Sequence, residues 1–189
     1  MKLKQYLILE MSLQKAEIFA TNKHKGQIRK SSGEPYVNHP KGVFNLLKSL
    51  HIKDNTLLVA AYLHDTLEDT KTTYNEIKRE FSKEVADIVK QVSSDNKEIQ
   101  RIGKPNYLAN KMIKMSNNAL IIKLVDRLHN LSDIMSVSKD FAEKMWSQTT
   151  FIIKKLRKER TLNNIQKKII RLINKSLKKY KPLESNYEI

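Results

Sequence analysis

Residues 60–70 read Ala60-Ala61-Tyr62-Leu63-His64-Asp65-Thr66-Leu67-Glu68-Asp69-Thr70. Leu57, Leu58, Ala60, Ala61 and Leu63 recur at helical spacing, so the segment reads as a broad, mostly apolar helix. Four ionisable side chains, His64, Asp65, Glu68 and Asp69, then fall within six positions. His64 and Glu68 are four apart, as are Asp65 and Asp69, which on one helix stacks them into two adjacent rows. Placing one nitrogen and three carboxylates on a helix this apolar is costly unless a cation compensates them.

Working outward, the same helical period returns along most of the chain. Val43, Leu46, Leu47 and Leu50 form a stripe behind Pro40, which suits a first helical turn with His39 just ahead of it. Thr73 and Glu76 have the spacing of a capping box that opens a short helix through Ile77 and Phe81. Val85, Ile88, Val89 and Val92 make a further helix, and Leu120, Leu124, Leu128 and Leu131 another. Phe151, Ile152 and Leu156, then Ile165, Ile169, Ile170, Ile173 and Leu177, give two basic amphipathic helices. The four Gly and four Pro are few and clustered, with loops expected at Ser31-Ser32-Gly33-Glu34-Pro35 and around Gly103 and Pro105. No alternating strand pattern, hairpin signal, solenoid repeat or interdomain linker stands out. The expectation is an all-α bundle of roughly eight to ten helices in a single unit, 1–189.

Composition narrows the function. The 189 residues hold no Cys, which excludes a disulfide framework, a thiolate metal site and a Cys nucleophile. Apolar runs such as Leu57–Leu63 fall short of a membrane span, and the start of the chain lacks a signal-peptide core, so a cytoplasmic protein is expected. The net charge of +16 suggests nucleic acid at first sight. Its distribution does not: residues 31–90 carry eight basic and nine acidic side chains, whereas residues 151–189 carry twelve and three. A near-neutral centre with basic flanks fits a small polyanion better than a polymer.

A cation at His64 and Asp65 needs ligands from elsewhere. His39 opens its own apolar helix, and Asp126 follows Ile121-Ile122-Lys123-Leu124-Val125. Taken singly, His39 reads as a core histidine, and Asp126 as a partner of Arg127 or Lys123. Taken together, two His and two Asp suit Mn²⁺, Fe²⁺ or Zn²⁺ and are too nitrogen-rich for Ca²⁺. Four protein ligands leave an octahedral ion positions for water and a substrate oxygen, as hydrolysis requires.

Four stretches carry a resemblance: His24-Lys25-Gly26-Gln27-Ile28-Arg29-Lys30; Gly33-Glu34-Pro35-Tyr36-Val37-Asn38-His39-Pro40; Leu63-His64-Asp65-Thr66-Leu67-Glu68-Asp69-Thr70; and Ile122-Lys123-Leu124-Val125-Asp126-Arg127-Leu128-His129-Asn130-Leu131. In this order they resemble the HD-domain hydrolases of the RelA/SpoT-homologue group, particularly the stand-alone small alarmone hydrolases. The resemblance implies an HD-domain helical bundle with its motif-bearing core at about 20–135 and a basic helical part at about 139–181. It implies one Mn²⁺ held by His39, His64, Asp65 and Asp126. It also implies removal of the 3′-pyrophosphate of (p)ppGpp, giving GDP or GTP and pyrophosphate. Glu68 and Asp69 match the catalytic pair; Arg29, Lys30 and Ser31 match the nucleotide-contacting loop, and Asn130 an asparagine near sugar and phosphates.

The chain departs from that pattern in two places. The doubled Ser31-Ser32 lengthens the loop before His39 by one residue relative to the long bifunctional enzymes. An acidic and basic signature ahead of the last metal-binding helix is replaced by Gly103-Lys104-Pro105-Asn106-Tyr107-Leu108-Ala109-Asn110-Lys111, where Lys111 alone fits the role. Two alternatives therefore stay open: an HD-domain phosphohydrolase for another phosphorylated nucleotide such as NADPH, and a basic helical nucleic-acid-binding module.

Overall fold

The computed structural model describes residues 3–180; residues 181–189, part of the expected unit 1–189, lie outside the described residues, as do the first two. The elements run α1 (Leu3–Lys23), α2 (Asn38–Ser49), α3 (Asn55–Leu63), α4 (Thr66–Asp69), α5 (Tyr74–Glu80), α6 (Lys83–Val92), α7 (Asn96–Ile102), α8 (Lys104–Lys114), α9 (Asn117–Ser132), a 3-10 turn (Ile134–Ser136), α10 (Lys139–Glu159) and α11 (Asn164–Lys179). The all-α expectation holds, with eleven helices among the described residues when the single turn α4 is counted separately. Among the described residues the one departure from helix and turn is an isolated antiparallel bridge between Ile28 and Pro35.

Helix α3 is the axis of the bundle, touching α1, α2, α6 and α9. Every residue from Leu57 to Leu63 is buried, as a helix apolar on all sides must be. Each fully buried Leu there contributes roughly 1.5–3 kcal/mol relative to an exposed one. Asp54 caps its start by accepting from the Leu57 amide. The expected continuous helix through Thr70 is not what forms. Helix α3 stops at Leu63, and Asp65 sits at φ −99°, ψ −4°, before the single turn of α4. Local side chains cause the stop: His64 Nδ1 contacts the Ala61 carbonyl at 2.8 Å, and Thr66 Oγ1 donates to the Leu63 carbonyl at 2.7 Å. These bonds take over carbonyls that a continuing helix would have used. His64 and Asp65 thus occupy a break against the core rather than a smooth helical face.

Elsewhere the pattern is met with local differences. Thr73 accepts from the Glu76 amide, but the Glu76 carboxylate reaches Lys23 on α1 at 2.7 Å, so half of the capping box forms. The expected loop at Gly103 shrinks to one residue at φ 79° between α7 and α8, with Pro105 in the first turn of α8. On α11, Ile169, Ile170, Ile173 and Leu177 are buried against α9, while Lys167, Lys168, Lys175, Lys178 and Lys179 are exposed. Phe151 of α10 is 41% exposed although Ile152 and Leu156 beside it are buried.

Candidate metal centre and active site

Three pieces of chain meet at the break after α3. His39 comes from the first turn of α2, His64 and Asp65 from the α3–α4 junction, and Asp126 from the middle of α9; all four are buried. His39 Nε2 lies 3.2 Å from Asp126 Oδ1 and 3.5 Å from Asp65 Oδ2. His64 Nε2 lies 3.1 Å from Asp65 Oδ2 and 4.0 Å from Asp126 Oδ1. One ligand atom each from His39, His64 and Asp126 falls within 4.8 Å of the others, close enough to share one ion. All four residues that the sequence nominates as ligands are therefore brought together.

The donor chemistry fits a cation. His64 Nδ1 faces the Ala61 carbonyl and so carries the ring proton, which turns the lone pair of Nε2 toward the carboxylates. Nε2 is buried and without a hydrogen-bond partner among the described residues. A lone pair aimed at two carboxylates is repulsive unless a proton or a metal ion lies between them. Without a metal, a proton would take this place. Burial alone would lower the His64 pKa, yet the Asp65 carboxylate outweighs it and pushes the group up to about 9. Burial likewise opposes ionisation of Asp65 and Asp126, but His64 for the first and Lys123 for the second hold both below the usual carboxylate range. The alternative pairing of Asp126 resolves to Lys123, 3.1 Å from its Oδ2, whereas Arg127 turns to Thr149 on α10.

The nominated catalytic pair separates. Asp69 Oδ2 and Asp65 Oδ2 share the Tyr36 hydroxyl, at 3.0 and 2.7 Å, so Asp69 borders the cluster. Burial and the nearby Asp65 raise the Asp69 pKa, while burial and the same two carboxylates raise that of Tyr36, which stays a hydrogen-bond donor. Glu68 is exposed, and its Oε2 accepts from the Ser94 amide at 2.7 Å, at the loop between α6 and α7. The row of His64 and Glu68 does not survive the helix break; that of Asp65 and Asp69 does.

Of the residues matched to nucleotide contacts, Arg29, Ser31 and Asn130 form one network that also includes Asp133, which lies outside the matched set. Asp133 Oδ2 accepts from Arg29 Nε at 2.9 Å and from Ser31 Oγ at 3.1 Å, and Arg29 Nη2 reaches Asn130 Oδ1 at 3.0 Å. Asn130 Nδ2 in turn donates to Asp126 Oδ1 at 2.6 Å, joining this network to the His/Asp cluster. Lys30 is exposed on the same loop. The loop is closed by reciprocal backbone bonds, Arg29 amide to Glu34 carbonyl and Gly33 amide to Arg29 carbonyl, both 2.8 Å. Gly33 supplies the φ of 74° at its tip, so the extra serine is absorbed in a tight turn. Lys111 is bonded to the Ser93 carbonyl, next to the Ser94 that holds Glu68, and to the Tyr107 hydroxyl.

Residues 16–158 match the HD domain family, and the chain belongs to it, as a hydrolase of the RelA/SpoT-homologue branch. It is 41% identical over 130 residues to the guanosine-3′,5′-bis(diphosphate) 3′-pyrophosphohydrolase MESH1 of Xenopus tropicalis, covering 68% of this chain and 69% of that one. It is 36% identical over 145 residues to the bifunctional (p)ppGpp synthase/hydrolase SpoT of Escherichia coli, covering 72% of this chain and 20% of that much longer one. A solved structure, described as a metazoan ortholog of SpoT that hydrolyzes ppGpp, superposes with a TM-score of 0.74 at 26% identity, covering 87% of this chain and 94% of that one. No helix among the described residues is long and apolar enough to cross a membrane.

Proposed function

We propose that this chain is a Mn²⁺-dependent hydrolase that removes the 3′-pyrophosphate of (p)ppGpp, acting in the cytoplasm. The observation that carries the proposal is the buried convergence of His39, His64, Asp65 and Asp126, bordered by Asp69 on one side and by the Arg29–Asn130 network on the other. Fe²⁺ and Zn²⁺ suit the same ligands. Helices α10 and α11 belong to the same unit under this proposal, since α11 lies on the helix that supplies Asp126.

The ion, when bound, supplies a Lewis acid that acidifies water and offsets phosphoryl charge. The remaining chemistry falls to the protein. Asp69, with its carboxyl raised above the ordinary range, accepts a proton from the attacking water more readily near neutral pH than a solvated aspartate does. Glu68, the other member of the matched pair, is held by the Ser94 amide one turn from the cluster, and its part is to orient that water once substrate is bound. Water adds to the phosphorus bonded to the ribose 3′ oxygen, the P–O3′ bond breaks, and the 3′ oxygen takes up a proton as pyrophosphate departs. Arg29 has Nε and Nη2 engaged by Asp133 and Asn130, which leaves Nη1 and the guanidinium plane for the nucleotide. Lys30 adds a point charge for the phosphates, and Ser31 and Asn130 fix the loop against α9.

The test is pyrophosphate release from ppGpp with and without Mn²⁺, for the wild-type chain and Asp65→Ala. Release that needs Mn²⁺ and vanishes in Asp65→Ala supports the proposal, and full activity of the variant refutes it. Preference for NADPH in a nucleotide panel would move the substrate assignment. Salt-sensitive RNA binding by a protein that holds no metal would favour the nucleic-acid alternative.

A further inference from the structure

Three of the four glycines answer a backbone demand: Gly26, Gly33 and Gly103 sit at φ 80°, 74° and 79°. Gly42 does not. It lies within α2, where glycine in place of alanine costs about 1 kcal/mol. The space beside it is what forbids a side chain. A Cβ at this position would stand 1.9 Å from His129 Nε2, 2.4 Å from Cδ2 and 2.9 Å from Cε1. The His129 ring is therefore seated against the bare backbone of α2.

The other edge of that ring meets a metal ligand. His129 Nδ1 lies 3.1 Å from His39 Nδ1, with ring centroids 4.9 Å apart and the planes at 68°. His39 presents its opposite nitrogen, Nε2, to Asp126 and Asp65. If that nitrogen is to ligate an ion, the His39 proton must sit on Nδ1 and needs an acceptor.

We propose that His129 is a positioning residue of the metal centre, accepting the Nδ1 proton of His39, and that Gly42 is the socket holding its ring in place. The inference rests on His39 being a metal ligand. Through this contact His129 selects the His39 tautomer and fixes the ring plane, so that the Nε2 lone pair points into the cluster. Packing alone would be satisfied by a leucine at position 129, whereas acceptance requires a group such as the side-chain oxygen of asparagine, which falls close to where Nδ1 now lies.

The experiment is calorimetric titration of the metal-stripped full chain with MnCl₂, alongside circular dichroism and thermal melting to verify the fold. His129→Leu is expected to weaken Mn²⁺ binding roughly 10- to 100-fold, with His129→Asn within about threefold of wild type. Gly42→Ala, whose methyl group displaces the ring, is expected to weaken binding comparably in the wild-type background. In the His129→Asn background it is expected to be close to neutral, because the ring atoms that clash are gone. Wild-type affinity in a folded His129→Leu overturns the inference while the metal centre stands. Equal effects of Gly42→Ala in both backgrounds overturn it as well, and keep it testable should His129→Leu fail to fold. A wild-type chain that binds no Mn²⁺ overturns both this inference and the metal assignment.

Discussion

Replacing Lys123 with methionine separates the electrostatics of the metal-free site from those of the loaded one. Lys123 Nζ lies 3.1 Å from Asp126 Oδ2, and both side chains are about nine-tenths buried. In the metal-free protein the two carboxylates are balanced by protonated His64 and by Lys123, whose pKa rises to about 12 because Asp126 and Asp65 outweigh the effect of burial. Lys123→Met keeps the unbranched stem of the side chain without its ammonium group and leaves one buried carboxylate uncompensated, a change that costs roughly 3–5 kcal/mol. For a chain of this size that is a fall in Tm of about 6–20 °C. A dication changes the sum. A unit positive charge ~5 Å from it opposes binding by about 3 kcal/mol per unit of charge at an effective dielectric of ~20, so the lysine that steadies the empty site works against the filled one. Thermal scans of both proteins at pH 7.5, with and without saturating MnCl₂, are therefore expected to show the larger Mn²⁺-induced rise in the variant, closing at least half of the gap. An equal deficit with and without Mn²⁺ would refute this charge accounting.

Two further outcomes follow from the same site. His64 is pushed up to about 9 from an ordinary 6.5, so the stability its protonation confers on the metal-free protein is complete below pH 6.5 and lost as pH rises through 9. The difference is worth about 3 kcal/mol, and Tm measured from pH 6 to 10 should show that decline without metal and a much flatter profile with Mn²⁺. Asp133→Ala removes the charged partner of Arg29 and the contact of Ser31; with a charge-assisted bond worth about 1.5 kcal/mol or more, the KM for ppGpp should rise about tenfold with little change in kcat. Steady-state kinetics with an unchanged KM would show that the nucleotide does not depend on this anchor.

How much of this could be read from the sequence depended on the range of each interaction. The apolar period of α3, the stripes of α6 and α9 and the four residues that converge after α3 were legible because each is written in residues a few places apart, or in residue types too expensive to bury without purpose. The break at His64 was not, since periodicity registers which residues are apolar and not which side chains capture backbone carbonyls. For the same reason Glu68 appeared to share a face with His64, although it turns to Ser94, 26 residues on. Helix α1 escaped notice because its buried positions include the small Ala16 and Ala20, and α7 because none of its residues is buried. Tyr36, His129 and Asp133 act through partners 29 to 104 residues away, which a single sequence does not mark, although His129 and Asp133 lie one and two turns beyond Asp126.

The Arg29–Asp133 link spans 104 residues and the His39–His129 contact 90. Closing a loop of that length costs roughly 4 kcal/mol of chain entropy, a cost the contacts within each helix never meet. The centre is therefore the part of the molecule with the least local support: helices can form one by one, but none of them alone holds a working set of ligands. On the proposed ligand set, hydrolytic competence requires the first forty residues to have met the stretch around residue 130, so a chain in which those two segments are apart lacks the centre altogether.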